Sequence, residues 1–210
     1  MSGLAEYSTQ LLKCFPKRHK VPIIIATEEN LKEYGRIVRN FKNYLSEKVI
    51  IEVWPKHTGR PVCIGTGTGG GVSEGNFKYW KEKNYFRAKN EAVDGSYTTG
   101  ILTDNNTVLT REANYHPDGG QVFFPLVPTP FILLLALPGD DIKLEDFVGF
   151  YFDGTYGIQI YPNIWHQPIY PISGFAQFKT KQGAVHACVK VDTLLEFETW
   201  LEISLEIKNN

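Results

Sequence analysis

The sequence predicts an all-β fold, a sandwich or a barrel, preceded by a short N-terminal helix. From Tyr97 onward, short apolar runs alternate with turn residues such as Asp104, Asn105 and Asn106. In the tail, apolar residues between Leu195 and Ile207 alternate with mainly acidic ones, which is typical of a strand with one buried face. We therefore expect one domain of 210 residues with its barrel core at 97–207.

The N-terminal part begins with a polar leader at residues 1–20, in which the basic run 17–20 predicts a solvated turn. Residues 21–26 then predict a short buried strand. Thr27 offers a hydroxyl cap for a helix, and Asn40 is its expected end. The apolar residues at helical spacing between them are Leu31, Tyr34 and Val38.

The middle of the chain predicts one strand, at 49–53, and then a loop-rich insertion at 55–90. The glycine run 65–71 lacks the lysine of a phosphate loop and the spacing of a dinucleotide site, so it predicts a wide turn or a lid over the barrel mouth. Residues 77–90 mix aromatic and basic side chains without clean periodicity. We expect them to cover the barrel exterior, with Lys and Arg stems shielding the rings.

The core strands follow one another at short intervals. They are predicted at 100–103, 107–111, 123–126, 131–137, 147–152, 157–161, 169–172 and 184–191. Many short strands at regular spacing are typical of a sandwich or a barrel.

Composition excludes several classes of partner. Lys plus Arg (22) nearly balances Asp plus Glu (23), so no long-range field attracts nucleic acid or an acidic membrane surface. The three cysteines, Cys14, Cys63 and Cys188, are widely spaced, which predicts reduced and mostly buried thiols. The N-terminus lacks an apolar signal core, and the longest apolar run, 131–137, is too short to span a bilayer. We expect a soluble cytoplasmic protein.

Two segments, 114–126 and 153–168, each place a histidine beside a predicted strand. If the strands pair across one barrel mouth, His116, Gln121 and His166 converge on one cavity as candidate catalytic residues. An imidazole with a pKa of about 6.5 suits proton transfer, although a histidine beside a proline turn can also serve only structure. The same three side chains are the candidate ligands of a divalent ion such as nickel, zinc or manganese. Two imidazoles and one amide make a sparse set, so a tight structural metal is not expected.

Residues in 114–172 have the order and spacing of a known family. They are His116, Pro117, Gln121, Phe124, Pro125, the apolar strand 131–137, Asp140, Asp141, Asn163, Trp165, His166 and Pro168. Together they resemble the ureidoglycolate lyases of purine (allantoin) degradation. A fainter match aligns residues 31–38 with the family's opening helix.

The resemblance implies a cupin-type double-stranded β-helix, a jelly-roll barrel assembled as a homodimer. It also implies a lyase that releases urea and glyoxylate from ureidoglycolate, with His116 and His166 dividing the two proton transfers. The residues expected to bind substrate are Asn114, Tyr115, Tyr161, Asn163, Trp165 and Arg111.

The chain departs from the family pattern around this site. Asn114 and Tyr115 stand where the family has a glutamate and a basic residue, and Arg111 and Glu112 are their candidate substitutes upstream. The other departures are Val148 for an arginine, Tyr161 for a histidine, and Gln167 for the second histidine of a pair. Two alternatives therefore stay open: a cupin enzyme acting on a different small polar or acidic substrate, and a non-catalytic cupin that binds a small molecule.

Overall fold

The computed structural model describes residues 10–44, 60, 72–91, 96–104, 106–116, 120–183 and 189–207. It is all-β, as predicted, with a cupin-like architecture of two facing sheets and a few short helices. No helix in these ranges is long and apolar enough to cross a membrane.

From residue 97 onward most predicted strands are present, and the structure adds strands at Glu112–Tyr115, Trp165–His166 and Phe175–Gly183 that were not predicted. The strands are β1 (Lys17–Lys20), β2 (Ile23–Ile25), β3 (Gly35–Val38), β4 (Val72–Glu82), β5 (Tyr85–Asn90), β6 (Tyr97–Leu102), β7 (Thr107–Thr110), β8 (Glu112–Tyr115), β9 (Gln121–Pro125), β10 (Phe131–Ala136), β11 (Val148–Phe152), β12 (Gly157–Ile160), β13 (Trp165–His166), β14 (Tyr170–Pro171), β15 (Phe175–Gly183), β16 (Val189–Asp192) and β17 (Thr199–Ser204). The helices are residues 10–14, Glu28–Leu31, Phe41–Tyr44 and Thr193–Phe197, with a 3-10 turn at Leu144–Asp146.

The larger sheet has the order β1-β17-β7-β6-β5-β4-β15-β9-β12-β3. The smaller sheet has the order β16-β8-β13-β10-β11-β2, with β14 also paired to β10. Strands from distant parts of the sequence therefore become neighbours, and β8 lies between β16 and β13.

Strand β10 is buried on both faces of the smaller sheet. Its residues Phe131, Leu133 and Leu135 belong to one hydrophobic cluster, whereas Ile132 and Leu134 belong to a second cluster. Successive side chains of a strand point to opposite faces, so the uninterrupted apolar sequence of β10 supplies both clusters.

The predicted N-terminal helix is much shorter than expected. The Thr27 hydroxyl caps it as predicted, accepting a hydrogen bond of 3.1 Å from the Asn30 N–H, but the helix ends at Leu31. Residues 35–38 form β3 and pair antiparallel with β12. Asn40 follows this strand, and its side-chain oxygen accepts from the Lys42 N–H at the next helix. Sheet pairing outweighs the helical spacing of the apolar residues here.

Two further predictions near the N-terminus are corrected. The basic run 17–20 is the edge strand β1, which pairs in parallel with β17 instead of forming a turn. Strand β2 lies where a buried strand was expected, but Ile25 is 60% exposed because β2 is the edge of the smaller sheet.

Part of the predicted loop-rich insertion is regular structure. Strands β4 and β5 form an antiparallel hairpin inside the larger sheet, between β6 and β15. Phe77, Tyr79, Phe86 and Ala88 on this hairpin are buried, so residues 77–90 are not an exterior cover. The predicted strand 49–53 and the glycine run 65–71 lie outside the described residues.

The tail combines a helical turn with a strand. Asp192 caps the helix Thr193–Phe197 by accepting from the Leu194 and Leu195 N–H groups. Glu198 adopts a left-handed conformation with φ of 53° and leads into β17. Leu195, predicted to be on the apolar face of a strand, is instead on this helix and 76% exposed. Of the cysteines, Cys14 is exposed rather than buried, and Cys63 and Cys188 lie outside the described residues.

Candidate active site

A cavity of about 610 Å³ lies between the two sheets. The smaller sheet contributes Asn114 and His166 to its wall, with His116 directly after β8, and the larger sheet contributes Gln121 and Phe123 from β9. The three candidate catalytic residues of the sequence analysis thus line one cavity.

Three neighbouring strands place polar side chains in one row across the smaller sheet. Asn114 on β8 pairs with Lys190 on β16 and with His166 on β13. Directly paired residues of antiparallel strands project from the same face, and all three residues line the cavity. The row therefore presents an ammonium, an amide and an imidazole in this order.

His116 joins this row from the end of β8. It lies two residues beyond Asn114, and its ring centroid is 4.9 Å from that of His166. Its backbone carbonyl accepts a hydrogen bond of 3.2 Å from the N–H of Asn163, which has a φ of 65°. The predicted site residue Asn163 thus positions the His116 backbone.

The surroundings of His166 determine its protonation state. Its Nδ1 lies 2.9 Å from the carbonyl oxygen of Ile164, which can only accept, so Nδ1 carries the proton and Nε2 carries the lone pair. Burial, together with the neighbouring His116, lowers the pKa of His166 to about 3, despite the opposing effect of the Ile164 carbonyl. His166 is therefore neutral at neutral pH, and its Nε2 is free to accept a hydrogen bond.

The larger sheet supplies the opposite wall. The Gln121 amide nitrogen donates to the Thr180 hydroxyl over 3.4 Å, in the buried interior. Phe123 and Tyr79 add aromatic surface to the wall. Burial raises the pKa of Tyr79 well above its ordinary value, so its phenol stays neutral. The wall opposite the imidazoles therefore combines an amide with aromatic rings.

Charged side chains gather at one part of the cavity wall. Arg111 Nη2 lies 2.5 Å from Asp192 Oδ2 and 3.7 Å from Glu112 Oε1. Lys190 Nζ lies 2.6 Å from the same Glu112 oxygen. Arg111, Glu112 and Lys190 all line the cavity. Glu112 lies two residues before Asn114 on the same face of β8. Arg111 and Glu112, the candidate substitutes for the family's basic residue and glutamate, therefore reach the cavity.

The remaining predicted site residues lie elsewhere. Tyr115 and Trp165 project from the opposite face of the smaller sheet, where their rings pack edge to face at 4.6 Å. The Tyr115 hydroxyl donates to Asp140 Oδ1 and the Trp165 Nε1 donates to the Gly139 carbonyl. Tyr161 does not line the cavity. Direct substrate contacts by Tyr115, Trp165 and Tyr161 are not supported by these positions, because strand alternation turns Tyr115 and Trp165 away from the site.

Lys190 is a cavity residue that the sequence pattern did not single out. A lysine between Val189 and Val191 indicates a side chain facing away from the apolar core, and the structure turns it into the cavity. Only the pairing of β16 with β8 shows that it lies beside Asn114.

The donor set for a metal ion remains sparse in the structure. Among the described residues, no group of three His, Cys, Asp or Glu side chains comes together to hold an ion. His116, His166 and Gln121 supply two imidazoles and one amide, without a carboxylate or thiolate to offset the charge of a divalent ion. These three side chains therefore do not fit a divalent ion by themselves.

Comparison with known proteins adds the family. The family model described as ureidoglycolate lyase matches residues 81–197, which is more than half of the chain. The chain belongs to the ureidoglycolate lyase family. The region matched by the ureidoglycolate lyase model contains every cavity residue from Arg111 to Lys190 described above.

Curated relatives agree with this assignment over a shorter stretch. Ureidoglycolate lyase of Salmonella enteritidis PT4 (strain P125109) is 29% identical over 73 residues, which are 35% of this chain and 46% of the relative. Ureidoglycolate lyases of Salmonella newport (strain SL254) and Salmonella agona (strain SL483) match with the same identity and coverage. The chain thus spans about half the length of the curated relatives it matches.

Proposed function

We propose that this protein cleaves ureidoglycolate to glyoxylate and urea. The observation that carries the proposal is the pair of imidazoles, 4.9 Å apart, inside a cavity that also contains a row of amide and ammonium groups. The reaction breaks the bond between the carbinol carbon and the ureido nitrogen. The carbinol hydroxyl loses a proton as its carbon becomes an aldehyde, and the leaving nitrogen gains a proton.

His166 takes the hydroxyl proton in this proposal. Its Nδ1–H is held by the Ile164 carbonyl, so Nε2 is the acceptor. An anionic substrate in the cavity would favour the imidazolium form, which opposes the effect of burial on the pKa of His166. His116 is the second imidazole and delivers a proton to the departing nitrogen.

Lys190 and Arg111 are the candidate partners of the substrate carboxylate. Each already has a carboxylate neighbour, Glu112 for Lys190 and Asp192 for Arg111. The Lys190 side chain is 40% exposed, so its ion pair contributes little stability and a substrate carboxylate can compete for its ammonium. Asn114, between Lys190 and His166, is placed to orient the substrate through its amide.

The experiment measures glyoxylate and urea release from ureidoglycolate by the purified chain. We expect turnover by the wild type and a loss of about 100-fold or more in kcat for His166→Ala and for His116→Ala. His19→Ala on the edge strand β1 is the matched control and should keep wild-type activity. Circular dichroism checks that each variant is folded. Wild-type protein that releases no glyoxylate, or a folded His166→Ala variant with full activity, contradicts the proposal.

We also propose that the protein acts on a small molecule as a cytoplasmic homodimer without a nucleic-acid partner. The exposed edge strand β2, with Ile25 projecting into solvent, supports self-association. The exposed free thiol of Cys14 suits a reducing compartment, and the net charge of -1 disfavours nucleic acid. Sedimentation velocity should show a dimer that Ile25→Lys dissociates. A monomeric wild type contradicts the assembly.

A further inference from the structure

The cavity is larger than ureidoglycolate requires. Cavities of about 300–1,000 Å³ are typical of sites that enclose drug-sized ligands, and this cavity of about 610 Å³ falls within that range. Ureidoglycolate is far smaller and polar throughout. The additional space and its lining therefore indicate a larger substrate.

The additional space is an apolar arm formed by Ile101, Leu109 and Trp200, with Leu11 and Tyr85 beside them. It is connected to the imidazoles through Gln167, which follows His166 in the chain. The Gln167 side-chain oxygen accepts a hydrogen bond of 2.9 Å from the hydroxyl of Thr110, the residue after Leu109. The cavity thus continues from the catalytic pair, past Gln167, to an apolar end.

Two polar atoms at this junction have no hydrogen-bond partner within the protein. They are the Gln167 amide nitrogen and the Thr99 hydroxyl, both buried and both on residues that line the cavity. A buried polar atom without a partner is destabilising, so a ligand atom that reaches it would be favoured. The Thr110 hydroxyl lies 2.9 Å from the Gln167 side-chain oxygen and 3.0 Å from the Thr99 carbonyl oxygen, and its single proton can serve only one of them.

We propose that the preferred substrates are N-acyl-α-hydroxyglycines whose acyl group carries an apolar or aromatic substituent in place of the amino group of ureidoglycolate. This inference rests on the proposed function and keeps the same bond cleavage. The bond between carbinol carbon and amide nitrogen breaks, the hydroxyl proton leaves oxygen, and the nitrogen gains a proton. The products are glyoxylate and a carboxamide, with no change of oxidation state overall.

The residues assign a position to each part of such a substrate. The carboxylate meets Lys190 or Arg111, and the carbinol lies between the two imidazoles. The acyl group lies beside Gln167, and the apolar substituent fills the arm against Ile101. Ureidoglycolate would leave the arm filled with water only.

The test compares N-benzoyl-α-hydroxyglycine with ureidoglycolate by glyoxylate release from the full chain. We expect kcat/KM for the benzoyl compound to be higher by about tenfold or more, because the arm buries the phenyl ring. Benzamide should also inhibit the wild type more strongly than urea does. Cleavage of ureidoglycolate with little or no cleavage of the benzoyl compound overturns this inference alone. Cleavage of neither substrate overturns the proposed function as well.

Matched variants test whether the apolar arm determines the preference for the benzoyl compound over ureidoglycolate. Ile101→Phe should lower the ratio of the two kcat/KM values by about tenfold or more, because the added ring occupies the arm. Leu102→Phe is the control. Leu102 follows Ile101 on β6 and is similarly buried, but it packs in the hydrophobic cluster of Ile132 and Leu134 and does not line the cavity. The control should leave the ratio unchanged. The same ratio of kcat/KM values in Ile101→Phe and Leu102→Phe would contradict the inference. Thermal melting verifies that each variant is folded.

Discussion

His166 is a side chain whose position in the fold sets its chemistry. Its ring is buried, its Nδ1 is bonded to the Ile164 carbonyl, and His116 lies beside it. Each of these contacts acts on the balance between imidazole and imidazolium. Burial has the largest effect and lowers the pKa of His166 to about 3.

This lowered pKa predicts a loss of stability in acid. Unfolded His166 binds a proton below about pH 6.5, whereas folded His166 stays neutral down to its pKa of about 3. Protons therefore favour the unfolded chain throughout this window, and the His166 contribution to stability, complete above about pH 6.5, declines as the pH falls. Between pH 7 and pH 5 the free energy of unfolding should drop by about 2 kcal/mol through this residue.

Urea unfolding of wild type and His166→Gln at the two pH values checks this effect. Glutamine cannot be protonated in this range and its amide can still donate to the Ile164 carbonyl, so the variant should lose less stability on acidification. His19→Gln on the edge strand serves as the control and should keep the wild-type acid sensitivity. Equal pH dependence in wild type and His166→Gln would show that His166 is protonated freely in the folded state.

At the scale of elements, strand β3 shows how sheet pairing overrides a helical pattern. Gly35 brings β3 so close to β12 that a Cβ atom on it would lie 2.2 Å from the Gln159 carbonyl oxygen. The absence of a side chain at this position permits the close approach. The apolar residues Ile37 and Val38 then pack with the sheet instead of forming a helical stripe.

The sign of the effect of Gly35→Ala distinguishes the two conformations. In a helix the change would stabilise the protein by about 1 kcal/mol, because alanine has the higher helix propensity. In β3 the new methyl group collides with backbone, so we expect destabilisation of about 1–3 kcal/mol. Chemical denaturation measures the difference, and Gly75→Ala on β4, where a Cβ meets nothing closer than 3.9 Å, is the control. A more stable Gly35→Ala variant would contradict the strand.

At the scale of the whole molecule, the smaller sheet is covered on both sides. Leu133 and Leu134 are adjacent on β10, fully buried, and in different hydrophobic clusters. One cluster lies on the side of the candidate-site cavity and includes Phe123, and the other contains Tyr115 and Trp165. The site is therefore supported by a packed layer behind it.

This layering predicts similar losses from truncation at either position. Leu133→Ala and Leu134→Ala should each lower the free energy of unfolding by about 2–5 kcal/mol, since each removes buried methyl groups and leaves a cavity. Leu195→Ala, at a position 76% exposed on the helix Thr193–Phe197, should cost far less. Denaturant titration of the three variants provides the values. A small loss at either β10 position would mean that one face of the sheet is not covered.

Local sequence patterns predicted the all-β class, most of the core strands and the two segments that carry the histidines, but not β8, β13 or β15. Those features depend on local patterns, namely apolar runs, turn residues and residue spacing. The tertiary structure alone decided which side chains share the cavity. Tyr115 and Trp165 face away from it, whereas Lys190 enters it beside Asn114. The physical reason is register: a shift of one residue between paired strands reverses the face of every side chain, and the pairing of β8 with β13 and β16 joins residues far apart in sequence.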